Sequence, residues 1–178
     1  MTTRAYVALG SNLGDRVTNL RLAVQRLAAH PKVRVRRASR LFETPAIGPP
    51  QGPYLNAVLA IETDLAPEEL LALCQGIEAA GRRQRSVHWG PRTIDLDLVD
   101  VGGLVLTTSA LRLPHPELAN RPFVLAPLAD VAPEWCHPAT GEPVAALLDR
   151  VRGDLDGLVV VADGRAWCAQ VPGMETEP

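Results

Sequence analysis

Residues 81–100, GRRQRSVHWGPRTIDLDLVD, hold a block of positive charge followed directly by two carboxylates. The positive side chains are those of Arg82, Arg83, Arg85 and Arg92, and the two carboxylates one residue apart are those of Asp95 and Asp97. Like charges held this close cost free energy unless a group of opposite sign binds between them. The segment therefore indicates a ligand that needs both cations and carboxylates around it.

The two aspartates have the spacing of a metal site on a strand. In the alternating stretch TIDLDLV (93–99), residues two apart point to the same face, so Asp95 and Asp97 project together while Ile94, Leu96 and Leu98 face the core. A divalent cation removes the repulsion between two carboxylates, and a site with few protein oxygens leaves room for water and phosphates, as Mg²⁺ prefers. The alternative is a pair of solvated aspartates, and the pattern alone leaves both open.

The arginines favour a phosphate ligand next to that metal. A triphosphate needs cations on its oxygens and a carboxylate-held metal that bridges them. A solvated basic loop is the alternative, but it does not explain why the two aspartates follow directly. Trp89 stands beside Gly90-Pro91 in the same segment. We expect it in a loop, where it would cover a planar ring or shield the reacting groups from water.

Hydrophobic periodicity predicts the elements that must position these residues. We expect strands at 5–9, 33–43, 54–63 and 93–99, and helices from Asp15 to His30 and from Pro67 to Gly81. This order is the ferredoxin-like β-α-β-β-α-β pattern, an α+β fold with an antiparallel sheet and both helices packed on one face. Residues 43–53 are rich in proline and glycine and are expected to form a loop. The proline-rich segment 111–135 is assigned no regular element, and a short helix at 144–151 and a strand at 157–162 are expected after it.

The whole chain sets the remaining limits. Its 178 residues are expected to form a single domain, 1–178, and the net charge of −2 gives no reason to expect a nucleic-acid or membrane partner. No run of apolar residues approaches the length of a membrane span. The three cysteines form no CxxC pair, which favours reduced thiols and a cytoplasmic protein.

Several motifs in order resemble the 6-hydroxymethyl-7,8-dihydropterin pyrophosphokinase family. They are ALGSNLGDR (8–16), FETPAIG (42–48), YLNAVLAIET (54–63), HWGPRTIDLDL (88–98) and LPHPELANRPFVLAPLADVAPE (113–134). The resemblance covers about residues 5–135 and leaves 140–178 as a C-terminal extension. The chain carries Gln84 and His88 where the family has arginines, so those two positions depart from the pattern.

The resemblance implies an activity and a set of site residues. The family transfers pyrophosphate from ATP to the hydroxymethyl oxygen of the pterin and releases AMP, which implies small-molecule substrates and a monomer. Asp95 and Asp97 would bind two Mg²⁺ ions, and Arg82 and Arg92 would stabilise charge on the transferred group as catalytic residues. The ATP-binding residues would be Gln75, Glu78, Arg85, His88, Leu98, His115 and Arg121. The pterin-binding residues would be Thr44, Pro45, Ile47, Tyr54, Asn56, Trp89 and Phe123.

Two other classes share parts of these patterns. Palm-type nucleotidyl transferases also place paired aspartates on a ferredoxin-like sheet with metal and triphosphate, but they would not require the ETPAIG loop or Tyr54 and Asn56. RNA-recognition modules have the same element order. They need aromatic residues on the strand that here reads TIDLDLV, and two acids on that strand would repel phosphate.

Overall fold

The computed structural model describes residues 1–46, 50–81 and 93–174, and they form an antiparallel sheet covered by helices. The strands are β1 Thr3–Ser11, β2 Val33–Ala38, β3 Leu41–Thr44, β4 Tyr54–Thr63, β5 Asp95–Val101, β6 Leu106–Thr107, β7 Arg112–Leu113 and β8 Val159–Ala162. The helices are α1 Arg16–Ala28, α2 Pro67–Gly81, α3 Pro122–Val131, α4 Val144–Arg150 and α5 Gly164–Cys168. The first elements follow the expected β-α-β-β-α-β order, except that the second expected strand is divided into β2 and β3.

The main sheet has the strand order β5-β1-β4-β3-β8, and β2 also pairs with β4. The small strands β6 and β7 pair with each other in a separate two-stranded sheet. One face of the sheet packs against α1, α2 and α5 in a continuous apolar cluster that includes Leu9, Leu59, Leu70 and Trp167. The opposite face carries a second cluster with α3 and α4. The α+β ferredoxin-like fold is thus confirmed, with helices on both faces.

The segment 33–43 is two strands, where one was expected. Ser39 lies between β2 and β3, and its Oγ accepts the backbone N–H of Val58 in β4 at 2.9 Å. A serine hydroxyl that bonds to backbone offers a local alternative to the strand ladder. Both β2 and β3 pair with β4, so the polypeptide stays in the sheet on both sides of the interruption.

Two helices were not expected from the sequence. Helix α3 lies in the proline-rich segment, where Pro122 occupies the start of the helix and Pro127 lies inside it. Proline is tolerated in the first helical turn because its missing N–H has no partner there in any residue. Helix α5 is only five residues long, and the expected elements at 144–151 and 157–162 are observed as α4 and β8.

In the part of the chain that the structure describes, no helix combines the length and the apolar character that crossing a membrane requires.

Candidate active site

A row of residues crosses four neighbouring strands on the face that α3 and α4 share. Asp95 of β5 pairs with Gly10 of β1, Gly10 pairs with Asn56 of β4, and Asn56 pairs with Phe42 of β3. Their chain neighbours Leu9, Leu55 and Leu96 lie in the apolar cluster of the opposite face, so the row points away from that cluster. Two strand spacings separate Asp95 from Asn56, about 10 Å between their backbones.

Gly10 creates the open floor between the two ends of this row. A Cβ at residue 10 would lie 3.2 Å from Asn56 Oδ1 and 3.4 Å from Tyr54 Cδ1. A side chain there would fill the space between the amide of Asn56 and the carboxylate of Asp95. Glycine inside a strand often marks such a close approach, and this role of Gly10 was not anticipated from the sequence.

Asp95 and Asp97 lie on β5 as the alternation predicts. Asp95 is half-buried and Asp97 is exposed, whereas Ile94, Leu96 and Leu98 are buried on the other face. Within the described ranges, no group of three or more acidic, histidine or cysteine side chains is placed to hold a metal. Two carboxylates with room for phosphate oxygens and water suit Mg²⁺, which usually takes only one or two carboxylates from the protein.

The Asn56 end of the row is polar but buried. The Nδ2 of Asn56 donates a hydrogen bond to Thr44 Oγ1 at 2.8 Å, and the two residues are 7% and 6% exposed. Tyr54 is half-buried beside them, with its ring against Gly10. A fixed amide and hydroxyl next to an aromatic ring can recognise the edge and the face of a flat heterocycle.

His115 comes from the segment that passes beside β5. Its backbone N–H donates to Val99 O at 2.9 Å, and its Nδ1 accepts the backbone N–H of Glu117 at 3.1 Å. Nδ1 is therefore the acceptor, and a neutral His115 carries its proton on Nε2. Burial lowers the pKa of His115, the charge of Asp97 raises it, and the charge of Arg121 lowers it. A neutral imidazole with Nε2–H can donate a hydrogen bond to an anion.

Arg121 and Phe123 lie at the start of α3, which packs over β3 and β4. The guanidinium carbon of Arg121 is 5.8 Å from the centre of the Phe123 ring, within range of a cation–π contact. This placement gives one cation and one aromatic face on the helix that covers the same side of the sheet as the row.

The other predicted residues lie further from the row or outside the described residues. Gln75 is exposed on α2, and Glu78 on that helix accepts the N–H of Leu96 at 3.4 Å. Leu98 is buried in the core, so a ligand would meet only its backbone, and Pro45 is exposed after β3. The predicted residues outside the described ranges are Ile47, Arg82, Arg85, His88, Trp89 and Arg92.

Asn12 and Arg16 hold the chain that leads into β4. Asn12 Nδ2 donates to Gln51 Oε1 at 2.7 Å and to Gly52 O at 3.1 Å. Arg16 donates to Pro53 O at 3.0 Å and pairs with Glu43 at 2.9 Å. Sequence reasoning missed both residues, although the polar side chains of a strand-to-helix turn were the available signal.

Comparison with known proteins identifies the family. The profile of 7,8-dihydro-6-hydroxymethylpterin-pyrophosphokinase (HPPK) matches residues 6–133. A Synechocystis protein and a Bacillus subtilis protein, each named 2-amino-4-hydroxy-6-hydroxymethyldihydropteridine pyrophosphokinase, are 41% and 44% identical to the chain. The alignments cover 83% of this chain and 75% of the first protein, and 84% of this chain and 88% of the second.

Solved structures show the same fold. A Plasmodium falciparum HPPK-DHPS chain superposes with a TM-score of 0.69 at 12% identity, over 88% of this chain and 44% of that chain. The chain therefore spans less than half of that larger protein, and the likeness is one of fold. Together with the two relatives and the profile match, it leads to one conclusion: the chain belongs to the 7,8-dihydro-6-hydroxymethylpterin-pyrophosphokinase family.

Proposed function

We propose that the row Asp95–Gly10–Asn56 brings together the two substrates of one transfer reaction. The chain is a transferase of folate biosynthesis: it transfers pyrophosphate from ATP to the hydroxymethyl group of 6-hydroxymethyl-7,8-dihydropterin, giving AMP and the pterin diphosphate. The observation that carries the assignment of residues is the pairing that puts carboxylates and a buried amide on one face with a glycine between them.

The ATP half of the site is assigned to β5 and the segments beside it. We assign Asp95 and Asp97 to two Mg²⁺ ions, which would neutralise the phosphate oxygens when bound. His115, with its Nδ1 occupied by the Glu117 N–H, would donate Nε2–H to a phosphate oxygen. Arg121, together with Arg82 and Arg92, would stabilise the charge that develops on the transferred group. The further nucleotide contacts are proposed for Gln75, Glu78, Arg85, His88 and the backbone of Leu98.

The pterin half is assigned to the Asn56 end of the row. Tyr54 and Phe123 would supply aromatic faces for the ring, since flat heterocycles pack well against such surfaces. Asn56 and Thr44, already joined at 2.8 Å, would read the polar edge of the ring with the backbone of Pro45 and Ile47. Trp89 would close over the bound ring and exclude water.

The transfer itself requires positioning more than covalent chemistry. The hydroxymethyl oxygen bonds to the β-phosphorus of ATP, the bond from that phosphorus to the oxygen bridging to the α-phosphate breaks, and the hydroxyl proton is released as AMP departs. Asn56 and Tyr54 orient the oxygen that attacks, and His115 and Arg121 bind the phosphates. Holding reactants in line in this way supplies a large part of the rate enhancement of phosphoryl-transfer enzymes.

The same assignment extends to the setting in which the protein works. We propose a single-domain, cytoplasmic monomer that binds small molecules and no nucleic acid. Cys74 and Cys168 are free and buried, and burial raises the pKa of each thiol to about 12, as suits unreactive thiols in a reducing compartment. The acids on β5 would repel an RNA backbone from this face.

The test is product identity. The protein is incubated with Mg-ATP and 6-hydroxymethyl-7,8-dihydropterin, with matched reactions that lack the pterin or contain the Asp97→Asn variant. Formation of AMP that depends on the pterin and is lost in the variant supports the proposal. ADP in place of AMP, or AMP that forms equally without pterin, would overturn it.

A further inference from the structure

The C-terminal segment beyond the family match folds back onto the strand that leads into the pterin half of the site. Strand β8 pairs with β3 through Leu41–Ala162, Phe42–Val160 and Glu43–Val159. Strand β3 is therefore held between β4 and β8 and is not an edge of the sheet. Thr44, the last residue of β3, carries the hydroxyl that accepts the hydrogen bond of Asn56. The position of Thr44 thus depends on β8 as well as on β4.

Trp167 of α5 secures the other end of β3. Its side chain is 1% exposed, and its indole Nε1 donates to the backbone oxygen of Ser39 at 2.8 Å. Its own carbonyl oxygen accepts a hydrogen bond from Arg21 Nε of α1 at 2.8 Å. Trp167 therefore ties α1 to the junction between β2 and β3. A buried indole N–H that lost this acceptor would be costly, which keeps the junction in one geometry.

A glycine allows this approach. A Cβ at Gly164 would lie 2.1 Å from Ala38 O, so α5 can reach the β2–β3 junction only without a side chain there. Gly157, two residues before β8, lies beside the residue that follows Thr44: a Cβ there would be in ordinary contact with Pro45 Cδ, at 3.7 Å. The segment 157–168 therefore contacts the chain on both sides of β3, at Ala38 and Ser39 and at Pro45.

We propose that Trp167 is a positioning residue for the pterin half of the site, acting through Ser39 and β3 on the Thr44–Asn56 pair. This inference rests on the proposed function. The indole of Trp167 holds the start of β3, and pairing with β8 holds β3 along the strand. Together they keep Thr44 Oγ1 within reach of Asn56 before the pterin binds. Asp95 and Asp97 lie on β5, which β1 and β4 separate from β3, so these two carboxylates do not depend on the contacts of Trp167 and β8.

The experiment compares Trp167→Phe with Trp135→Phe. Phenylalanine keeps most of the buried area of Trp167 but removes the hydrogen bond to Ser39. Trp135 is the matched control because it is also buried and its Nε1 donates at 2.8 Å to Asp100 Oδ2, but it packs in the cluster with α3 and α4. For both variants and the unchanged protein, we would measure the KM for pterin, the KM for ATP, kcat, and amide hydrogen exchange over residues 41–46.

For Trp167→Phe we expect a KM for pterin raised about three- to tenfold, the size expected for one lost hydrogen bond, with the KM for ATP within about twofold. Faster amide exchange over 41–46 should accompany it. Trp135→Phe should leave the KM for pterin and that exchange unchanged. A Trp167→Phe enzyme with an unchanged KM for pterin, or with both KM values raised equally, would overturn the inference, as would equal exchange in the two variants. If the unchanged protein made no pterin-dependent AMP, the proposed function would fall instead.

Discussion

The two faces of the sheet differ in how completely helices cover them. On one face, α1, α2 and α5 cover a continuous apolar cluster that includes Ala5 of β1 and Leu96 of β5. On the other face, α3 and α4 bury Tyr6, Ala8, Val58 and Ala60. At the end of that face, the same strands present Gly10, Asn56, Asp95 and Asp97. The candidate site is therefore the polar end of a face whose other end belongs to the core.

A single strand shows the same division. Along β5, Leu96 and Leu98 point into the apolar cluster, Asp95 and Asp97 point to the site, and Val99 joins the second cluster. The buried residues fix the position of the strand. Its aspartates are therefore held in place without having to be fully buried themselves. Changes on the two faces of this strand should therefore have separable effects, on stability for one face and on turnover for the other.

The largest effect is expected on the polar side of β5. Asp97→Asn keeps the shape of the side chain and removes a charge from the proposed metal site, so kcat should fall about a thousandfold, as electrostatic groups in active sites commonly contribute. Thermal unfolding should change little. Asp64→Asn is the control, because Asp64 is exposed at the opposite end of the sheet. Near-normal turnover of Asp97→Asn at ordinary Mg²⁺ concentration would contradict the assignment.

The opposite face of the same strand should give the reverse result. Leu96→Ala removes a buried side chain from the cluster with α1 and α2, and should lower the free energy of unfolding by about 3 kcal/mol. Urea denaturation measures this, and Leu104→Ala serves as the control because Leu104 is 47% exposed. At a temperature where Leu96→Ala remains folded, its kcat should stay close to that of the unchanged protein. A loss below about 1 kcal/mol would mean that the face is not packed as described.

A smaller and more selective effect is expected at the floor of the site. Gly10→Ala puts a methyl group 3.2 Å from Asn56 Oδ1, so the amide must shift away from its place beside Thr44. We expect the KM for pterin to rise about tenfold, the lower range for overpacking, and the KM for ATP to change less. Gly153→Ala is the control, because a Cβ there meets no atom within 4 Å. Equal increases in the KM for pterin and the KM for ATP would argue against a selective effect of Gly10 on pterin binding.

The smallest expected effect concerns His115 and pH. In the folded state, burial lowers the pKa of His115 below the usual 6.5. The charge of Arg121 also lowers this pKa, whereas the charges of Asp97 and Glu117 raise it. The unfolded chain then binds more protons, so stability is full above about pH 6.5 and falls as the pH drops below it. His115→Asn keeps an acceptor for the Glu117 N–H but does not titrate.

Denaturation between pH 5 and 8 tests this prediction. The His115→Asn variant should lose less stability on the acid side than the unchanged protein, so that the two curves converge as the pH falls. Parallel curves over the whole range would show that His115 is not held neutral by its surroundings.

Much of the fold could be predicted from the sequence because its elements have strong periodicity. The alternation around Asp95 and Asp97, the helices α1 and α2, and the strand β8 were all expected. The break at Ser39 was not, because it depends on one hydroxyl that bonds to Val58, a residue in another strand. Helix α3 was missed because its prolines are ordinary loop signals, and only tertiary packing against β3 and β4 stabilises the helix.

The site was predictable in part for the same reasons. Asp95 and Asp97 could be placed on one face from spacing alone, but the pairing of Asp95 with Gly10 and of Gly10 with Asn56 depends on strand order and register, which periodicity does not determine. The roles of Asn12 and Arg16 depend on the path of residues 51–53, which lie far away in sequence. Trp167 could not be connected to β3 at all without the fold of the C-terminal segment.

The central claim is that the carboxylates of β5 and the amide of Asn56 serve adjacent substrates. The most direct test replaces Mg²⁺ with Mn²⁺ and measures the paramagnetic relaxation of pterin protons in the complex with a non-hydrolysable ATP analogue. With two strand spacings between Asp95 and Asn56, we predict a metal-to-pterin distance on the order of 10 Å or less, and loss of the effect in Asp95→Asn and Asp97→Asn. If the protons of bound pterin show no paramagnetic relaxation, or if the relaxation is unchanged in both variants, the assignment of adjacent substrates is contradicted.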